Sequence, residues 1–251
     1  MSDTRISANT GPADAVLPAA QQAPRPAGAL GIIMLDTRFP RPPGDIGHPE
    51  SFGFPTLRGV VHGAWPAKVV ASAAGLRAAQ LVPAFVAIAR QLERDGARAI
   101  TTSCGFLVLL QKELQAAVKV PVVTSSLLQL PALLAQEPQV GVLTISRKHL
   151  GTDHLRAAGV PRQRLADVLV QGVDPAGEFA TAILGNLPAM DLERARDEVV
   201  AAAVALRARA PGLGTLVLEC TNMPPYAQAI RDATGLVVRS LLDAPQLQPR
   251  R

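Results

Sequence analysis

The sequence predicts an α/β protein: two similar parallel-sheet α/β domains related by pseudo-twofold symmetry, with a ligand cleft between them. Three observations predict it. Short, fully apolar runs of strand length alternate with segments of helical periodicity. A strand–cysteine–helix–strand unit occurs twice at shared offsets. Of the 251 residues, 48% are hydrophobic but only 3% aromatic, so the core must be aliphatic.

Residues 1–28 are rich in Ala, Pro, Gln and Gly and carry no apolar period, which predicts a disordered tail. Order begins at the apolar run Ala29–Leu35, read as a buried strand. The segment Arg38–Pro49 is dense in Pro and Gly. It is read as a long shaped loop at the ligand end of the sheet, covering the cleft. Ala67–Val70 reads as a short strand, Leu81–Asp95 as a helix stopped by Gly96, and Ala97–Thr101 as a strand. Phe106–Val118 reads as a helix and Val120–Thr124 as a strand. The alternation then restarts with strand Gln139–Ile145, helix His149–Ala158, strand Arg164–Val170 and helix Ala176–Asn186. Helix Asp191–Ala210, strand Thr215–Glu219, helix Pro224–Ala233 and strand Leu236–Arg239 complete it. The implied domains are 29–125, completed by about 226–251, and 126–225.

Several function classes are excluded or disfavoured. The net charge of +5 comes from scattered arginines without a basic block, and aromatics are scarce, which argues against nucleic acid as partner. Charges interrupt every long apolar run, so no segment reaches the roughly 18–20 residues of a membrane span. The N-terminus lacks the apolar region of a secretory signal. Two cysteines are too few for a disulfide framework, so a cytoplasmic protein with reduced thiols is expected. A homo-oligomer stays open.

The two cysteines carry the chemistry. Ala99–Cys104 and Thr215–Cys220 are each a strand ending in cysteine, followed at equal offsets by an apolar helical residue and a further strand. Upstream, Gly31-Ile32-Ile33 answers Gly141-Val142-Leu143. A cysteine where a strand ends and a helix begins meets free backbone N–H groups that favour its thiolate. Two thiols opposed across a cleft suit proton removal from one face of an α-carbon and proton return on the other. Thr101, Thr102, Ser103, Gly105, Thr221 and Asn222 would offer hydrogen bonds to the enolate-like carboxylate. Two packed, inert cysteines in a small-anion binding protein are one alternative, and a disulfide between them is a third reading that a cytoplasmic chain disfavours.

The Thr102-Ser103-Cys104-Gly105 and Glu219-Cys220-Thr221-Asn222 segments, on two α/β copies, resemble the aspartate/glutamate racemase superfamily over about residues 29–245. That superfamily includes aspartate, glutamate and hydantoin racemases, maleate isomerases and arylmalonate decarboxylases. The resemblance implies a pyridoxal-phosphate-independent, cofactor-independent racemase or epimerase of an amino acid or related α-carboxylate. Cys104 and Cys220 would be its opposed bases and the site would lie between the domains. An isomerase or decarboxylase of a small dicarboxylate on the same scaffold remains an alternative. Thr221 matches the threonine that follows the second cysteine, and Asp36-Thr37 the acidic-hydroxyl pair after the first strand. Gly105-Phe106 and Asn222 depart from the Asn-Thr and His of glutamate racemases.

Thr144 and Ser146 end the first strand of the second copy and are candidates for binding a carboxylate, as are Arg38 and Arg41 in the first loop. His48 and His62 flank that loop, and His149 and His154 lack a third ligand spaced for a metal site. No lysine stands in a Schiff-base setting, and no glycine-rich phosphate loop is present. The expected partner is a small carboxylate substrate, with no metal.

Overall fold

The computed structural model describes residues 28–71 and 81–249 of the chain. The tail expected over 1–28 lies outside the described residues except for Gly28. Among the described residues, no helix is long and apolar enough to cross a membrane.

The molecule contains two four-stranded parallel sheets. The first is built from β1 (Ala29–Leu35), β2 (Thr56–Val61), β3 (Ala97–Thr102) and β4 (Val122–Val123), in the order β2-β1-β3-β4. The second is built from β5 (Val140–Thr144), β6 (Val168–Gly172), β7 (Thr215–Leu218) and β8 (Val237–Arg239), in the order β6-β5-β7-β8. The two orders are the same pattern, and so are the registers. Gly31 pairs with Ile100 and Gly141 with Leu216; Ile100 pairs with Val122 and Leu216 with Val238. The central strands β1 and β5 are buried along their whole length, as a parallel sheet covered on both faces requires.

The helices follow from ordinary signals. Helix α1 (Pro66–Ala71) starts on a proline that tolerates the first turn. Helix α2 (Val82–Arg94) buries Phe85, Ala89 and Leu92 at helical spacing, and Gly96 at φ 95° turns the chain back into β3. After β3, a 3₁₀ segment (Gly105–Leu110) leads into α3 (Gln111–Ala117). Helices α4 (Leu130–Leu134), α5 (Thr152–Ala157), α6 (Glu178–Leu184), α7 (Leu192–Arg209) and α8 (Ala227–Thr234) belong to the second half of the chain. Asp191 caps α7 by accepting from the backbone of Glu193 and Arg194. Gly235 at φ 68° ends α8.

Several expectations are corrected. Ala67–Val70 is helical, within α1; a four-residue apolar run carries no period that separates strand from helix. The strand at this point is β2, an edge strand with only Val61 buried, too polar to stand out as an apolar run. The strand expected over Arg164–Val170 begins only at Val168, because Arg162–Asp167 forms a 3₁₀ segment. There Arg164 donates to the carbonyls of Leu134, Glu137 and Pro138. The helix expected over Phe106–Val118 divides into the 3₁₀ segment and α3.

The C-terminal segment is shared between the halves. β8 closes the second sheet, whereas Leu241, Ala244 and Leu247 pack against Leu30, Ile32 and Val123 of the first. The segment that follows the first sheet is tied to the second. Ser126 Oγ donates to the Leu218 carbonyl at 2.7 Å, and Gln129 Nε2 to the Ser240 carbonyl at 2.8 Å.

Candidate active site

Both cysteines stand two residues past the end of a central strand. Ser103 N–H donates to the Ile33 carbonyl at 2.9 Å, and Glu219 N–H to the Leu143 carbonyl at 2.8 Å. This matched bond extends β3 and β7 by one step and delivers Cys104 and Cys220 to equivalent points. The two points face one cleft of about 350 Å³, counting the part open to solvent.

Its polar lining is Thr37, Ser103, Cys104, Gly105, Glu219, Cys220, Thr221 and Asn222. The rest is apolar and includes Leu35, Phe39, Val70, Phe106, Ile145 and Ile183. No Lys, Arg or His is among the described residues that line it. Both halves contribute, and they interlock at the cysteines. Thr221 Oγ1 donates to the Ser103 carbonyl at 2.7 Å. Gly105 lies so close to Glu219 that a Cβ there would sit 2.1 Å from the Glu219 carbonyl oxygen and 2.3 Å from its Oε1. Only glycine fits at that contact.

The first loop reaches across from one half to the other at two places. Asn186, held at φ 52° just after α6, accepts from Arg38 N–H at 2.7 Å and donates to the Asp36 carbonyl at 3.1 Å. Further on, the buried carboxylate of Asp45 accepts from Arg41 Nη1, the Gly47 N–H and, at 2.6 Å, Asn222 Nδ2. Asn222 Oδ1 in turn accepts from Cys220 Sγ at 3.5 Å. The loop is therefore wired to one of the two thiols. It is also more than a cover, because Phe39 and Ile46 are buried in the core.

The electrostatics differ from a pair of ready thiolates. Burial pushes the Cys104 thiol up to about 12, and Glu219 adds to the rise. The backbone N–H groups of Phe106 and Leu107, together with Arg41, pull it the other way. Burial raises Cys220 well above the usual thiol range, reinforced by Glu219, Cys104 and Asp45 and opposed by one backbone N–H, that of Asn222. The strand-end position does supply the expected N–H groups, but desolvation outweighs them. Glu219 is itself fully buried, and burial lifts its carboxyl to about 8. Thr144 Oγ1 donates to Glu219 Oε2 at 2.7 Å, whereas Oε1 has no partner.

Among the predicted site residues, Thr37, Ser103, Cys104, Gly105, Phe106, Cys220, Thr221 and Asn222 come together around the cleft. Asp36, Thr102, Thr144 and Ser146 do not line it. Asp36 Oδ2 accepts from the Gly63 N–H at 2.9 Å, on the far side of its strand end. Thr102 Oγ1 donates to the carbonyls of Thr124 and Cys104. Thr144 supports Glu219 from behind, and Ser146 Oγ meets His149 Nδ1 at 2.7 Å. Glu219 was missed as a site residue. The signal was present: a carboxylate directly after a buried strand, next to a cysteine, has to be partnered or functional.

The comparisons agree with this geometry. The family model for Asp/Glu/hydantoin racemase matches residues 57–244. A dimethylsulfoniopropionate lyase of Durusdinium sp. clade D is 30% identical over 217 residues, covering 84% of this chain and 70% of that protein. Dimethylsulfoniopropionate lyase 5 of Emiliania huxleyi is 31% identical over 217 residues, covering 84% of this chain but only 42% of its own length. The fold is shared with unliganded arylmalonate decarboxylase, at TM-score 0.53 and 15% identity over 84% of this chain and 86% of that one. It is shared too with an aspartate racemase homologue from Pyrococcus horikoshii OT3, at TM-score 0.50 and 16% identity over 87% and 94%. With two matching sheets, a cysteine at the same point of each, and a family match across three quarters of its length, the chain belongs to the Asp/Glu/hydantoin racemase family.

Proposed function

We propose that this enzyme is a cysteine-dependent lyase that takes an α-proton from a small carboxylate and expels a β-leaving group, with dimethylsulfoniopropionate as the substrate. The observation that carries the reading is the make-up of the cleft: two thiols, a buried carboxyl and four neutral polar residues between apolar, aromatic-edged walls, with no basic side chain among the described residues of its lining. A dicarboxylate would need cationic anchors there, and the lining has none. A methylated sulfonium instead suits apolar walls and the ring of Phe106. Its positive charge also offsets the burial that holds the thiols protonated, so the substrate itself favours the thiolate. The relatives named as dimethylsulfoniopropionate lyases support the same substrate.

Cys104 is the base in this scheme, because two backbone N–H groups and Arg41 favour its thiolate. The thiolate takes the α-proton. The C–H electron pair becomes the Cα–Cβ double bond, and the Cβ–S pair leaves on sulfur. The products are acrylate, neutral dimethyl sulfide and the Cys104 thiol, which returns its proton to solvent. Thr37 helps to receive the carboxylate: its Oγ1 accepts from Arg41 Nη2 at 2.9 Å and keeps its own hydrogen for the substrate.

A second reading is racemisation or epimerisation of an amino acid or related α-carboxylate by two-cysteine proton transfer. The equal registers that place Cys104 and Cys220 favour it. Both reactions share the first step and differ in whether a β-group leaves. Proton NMR in deuterated water separates them. Incubation with dimethylsulfoniopropionate is expected to give acrylate vinyl signals. Inert dimethylsulfoniopropionate together with α-deuteration of a chiral amino acid would establish the racemase instead. No reaction with either would leave the small-anion binder as the better account.

A further inference from the structure

Glu219 is the one carboxyl among the cleft-lining residues, and the scheme above does not use it. Its side chain is fully buried. Oε2 is occupied as an acceptor by the Thr144 hydroxyl, so a proton on this group sits on Oε1, the oxygen without a partner. Oε1 lies against Gly105, immediately after Cys104, and the residue itself immediately precedes Cys220. The group therefore lies near both thiols, and room for it exists only because residue 105 has no side chain.

We infer that Glu219 is a further catalytic residue: a neutral carboxyl whose Oε1–H donates a hydrogen bond to the substrate's carboxylate and strengthens it as that carboxylate becomes an enediolate. The inference rests on the reading of the cleft as a small-carboxylate site, whichever reaction follows. An ionised Glu219 would repel both the carboxylate and a neighbouring thiolate, so the protonated form is the one that works. Burial keeps it protonated up to about pH 8. The titratable groups facing it are the thiols of Cys104 and Cys220. From the first loop come Arg41 and Asp45, paired with each other, Arg41 acting on Cys104 and Asp45 on Cys220. His149 meets Ser146, two residues past the supporting Thr144. The sides formed by α1 and α6 present Val70, Ile183 and Leu184, which are apolar.

The test is calorimetric titration of propionate, an inert small carboxylate, into the full chain between pH 6.5 and 9.5. Affinity is expected to be flat to about pH 8 and then to fall about tenfold per pH unit, with one proton taken up per propionate bound at pH 9 in buffers of different ionisation heat. Glu219→Gln keeps a neutral donor and is expected to bind with an affinity that does not change over the same range. Flat wild-type affinity, absence of propionate binding, or an unaltered slope in Glu219→Gln would overturn the inference. If that variant does not fold, the wild-type slope and proton uptake still decide. Propionate binding with this profile but without turnover of dimethylsulfoniopropionate would remove the lyase reading and leave the Glu219 assignment standing. Turnover with a flat profile would do the reverse.

Discussion

The two cysteine-bearing strand ends share a backbone and differ in almost every side chain. In the first half Ser103 precedes the cysteine, and its hydroxyl accepts from the Leu35 N–H at 2.9 Å. In the second half the equivalent position is Glu219, a buried carboxyl with one oxygen unpaired. After the cysteines come Gly105 and Phe106 in one half and Thr221 and Asn222 in the other. Two backbone N–H groups favour the Cys104 thiolate and one that of Cys220, whose sulfur instead donates to Asn222. The lesson is that the duplication fixes where the sulfurs stand, while the neighbours decide what each can do. A symmetric scaffold carries an asymmetric site, and asymmetry is what an elimination with a single base needs.

The largest effect should come from breaking the pair one sulfur at a time. Cys104→Ser is expected to lower the elimination rate on the order of 10³-fold. Cys220→Ser should lower it at least ten times less, as measured by acrylate formation. Equal losses in the two variants would restore the symmetric, two-base reading.

The next contrast is at the residues that follow the cysteines. Gly105→Ala forces a Cβ into the Glu219 carbonyl and is expected to cost about 2–3 kcal/mol, or a melting temperature lower by roughly 5–10 °C. Thr221→Val removes only the bond to the Ser103 carbonyl and should cost about 1 kcal/mol. Thermal melts of the two variants check the ranking.

The last effect is a slope with pH, small per unit but accumulating over the range. Glu219 holds its proton up to about pH 8 in the folded chain, whereas an exposed glutamate ionises near 4.5. Between those values the folded state binds more protons than the unfolded one, so rising pH costs stability, by roughly 1 kcal/mol per pH unit. Glu219→Gln lacks this cost, and the difference between variant and wild type should widen from pH 5 to 8 and then level off. Burial pulls His154 below its ordinary value, but it is common to both proteins and drops out of the difference. Urea melts of the pair across this range provide the measurement.

Much of this was legible in the sequence. The offsets shared by Cys104 and Cys220 are the same offsets that the strand registers show, because parallel pairing leaves little freedom once apolar runs and helix stops are placed. The edge strand β2 was not legible: Arg58 and Gly59 interrupt it, so it lacks the apolar run that marks the central strands. Nor was the unlike fate of the hydroxyl candidates. Thr37 and Thr102 are both threonines near a strand's carboxyl end, yet one faces the cleft and the other donates to two carbonyls. Local sequence does not say which way a single side chain turns at a strand end. Asn186 and Asp45 were invisible as well, since their roles arise from contacts across some 150 residues or more of chain.

The central claim is that a thiol in this cleft removes a proton α to a carboxylate. Its most direct test is the wild-type chain beside a Cys104→Ser, Cys220→Ser double variant with an unchanged melt. Both are incubated with dimethylsulfoniopropionate in deuterated water and followed by proton NMR. The wild type is expected to form acrylate, and the double variant to leave the substrate and its α-hydrogens intact. Acrylate formation by the double variant at the wild-type rate, or untouched α-hydrogens in the wild type, would contradict the account.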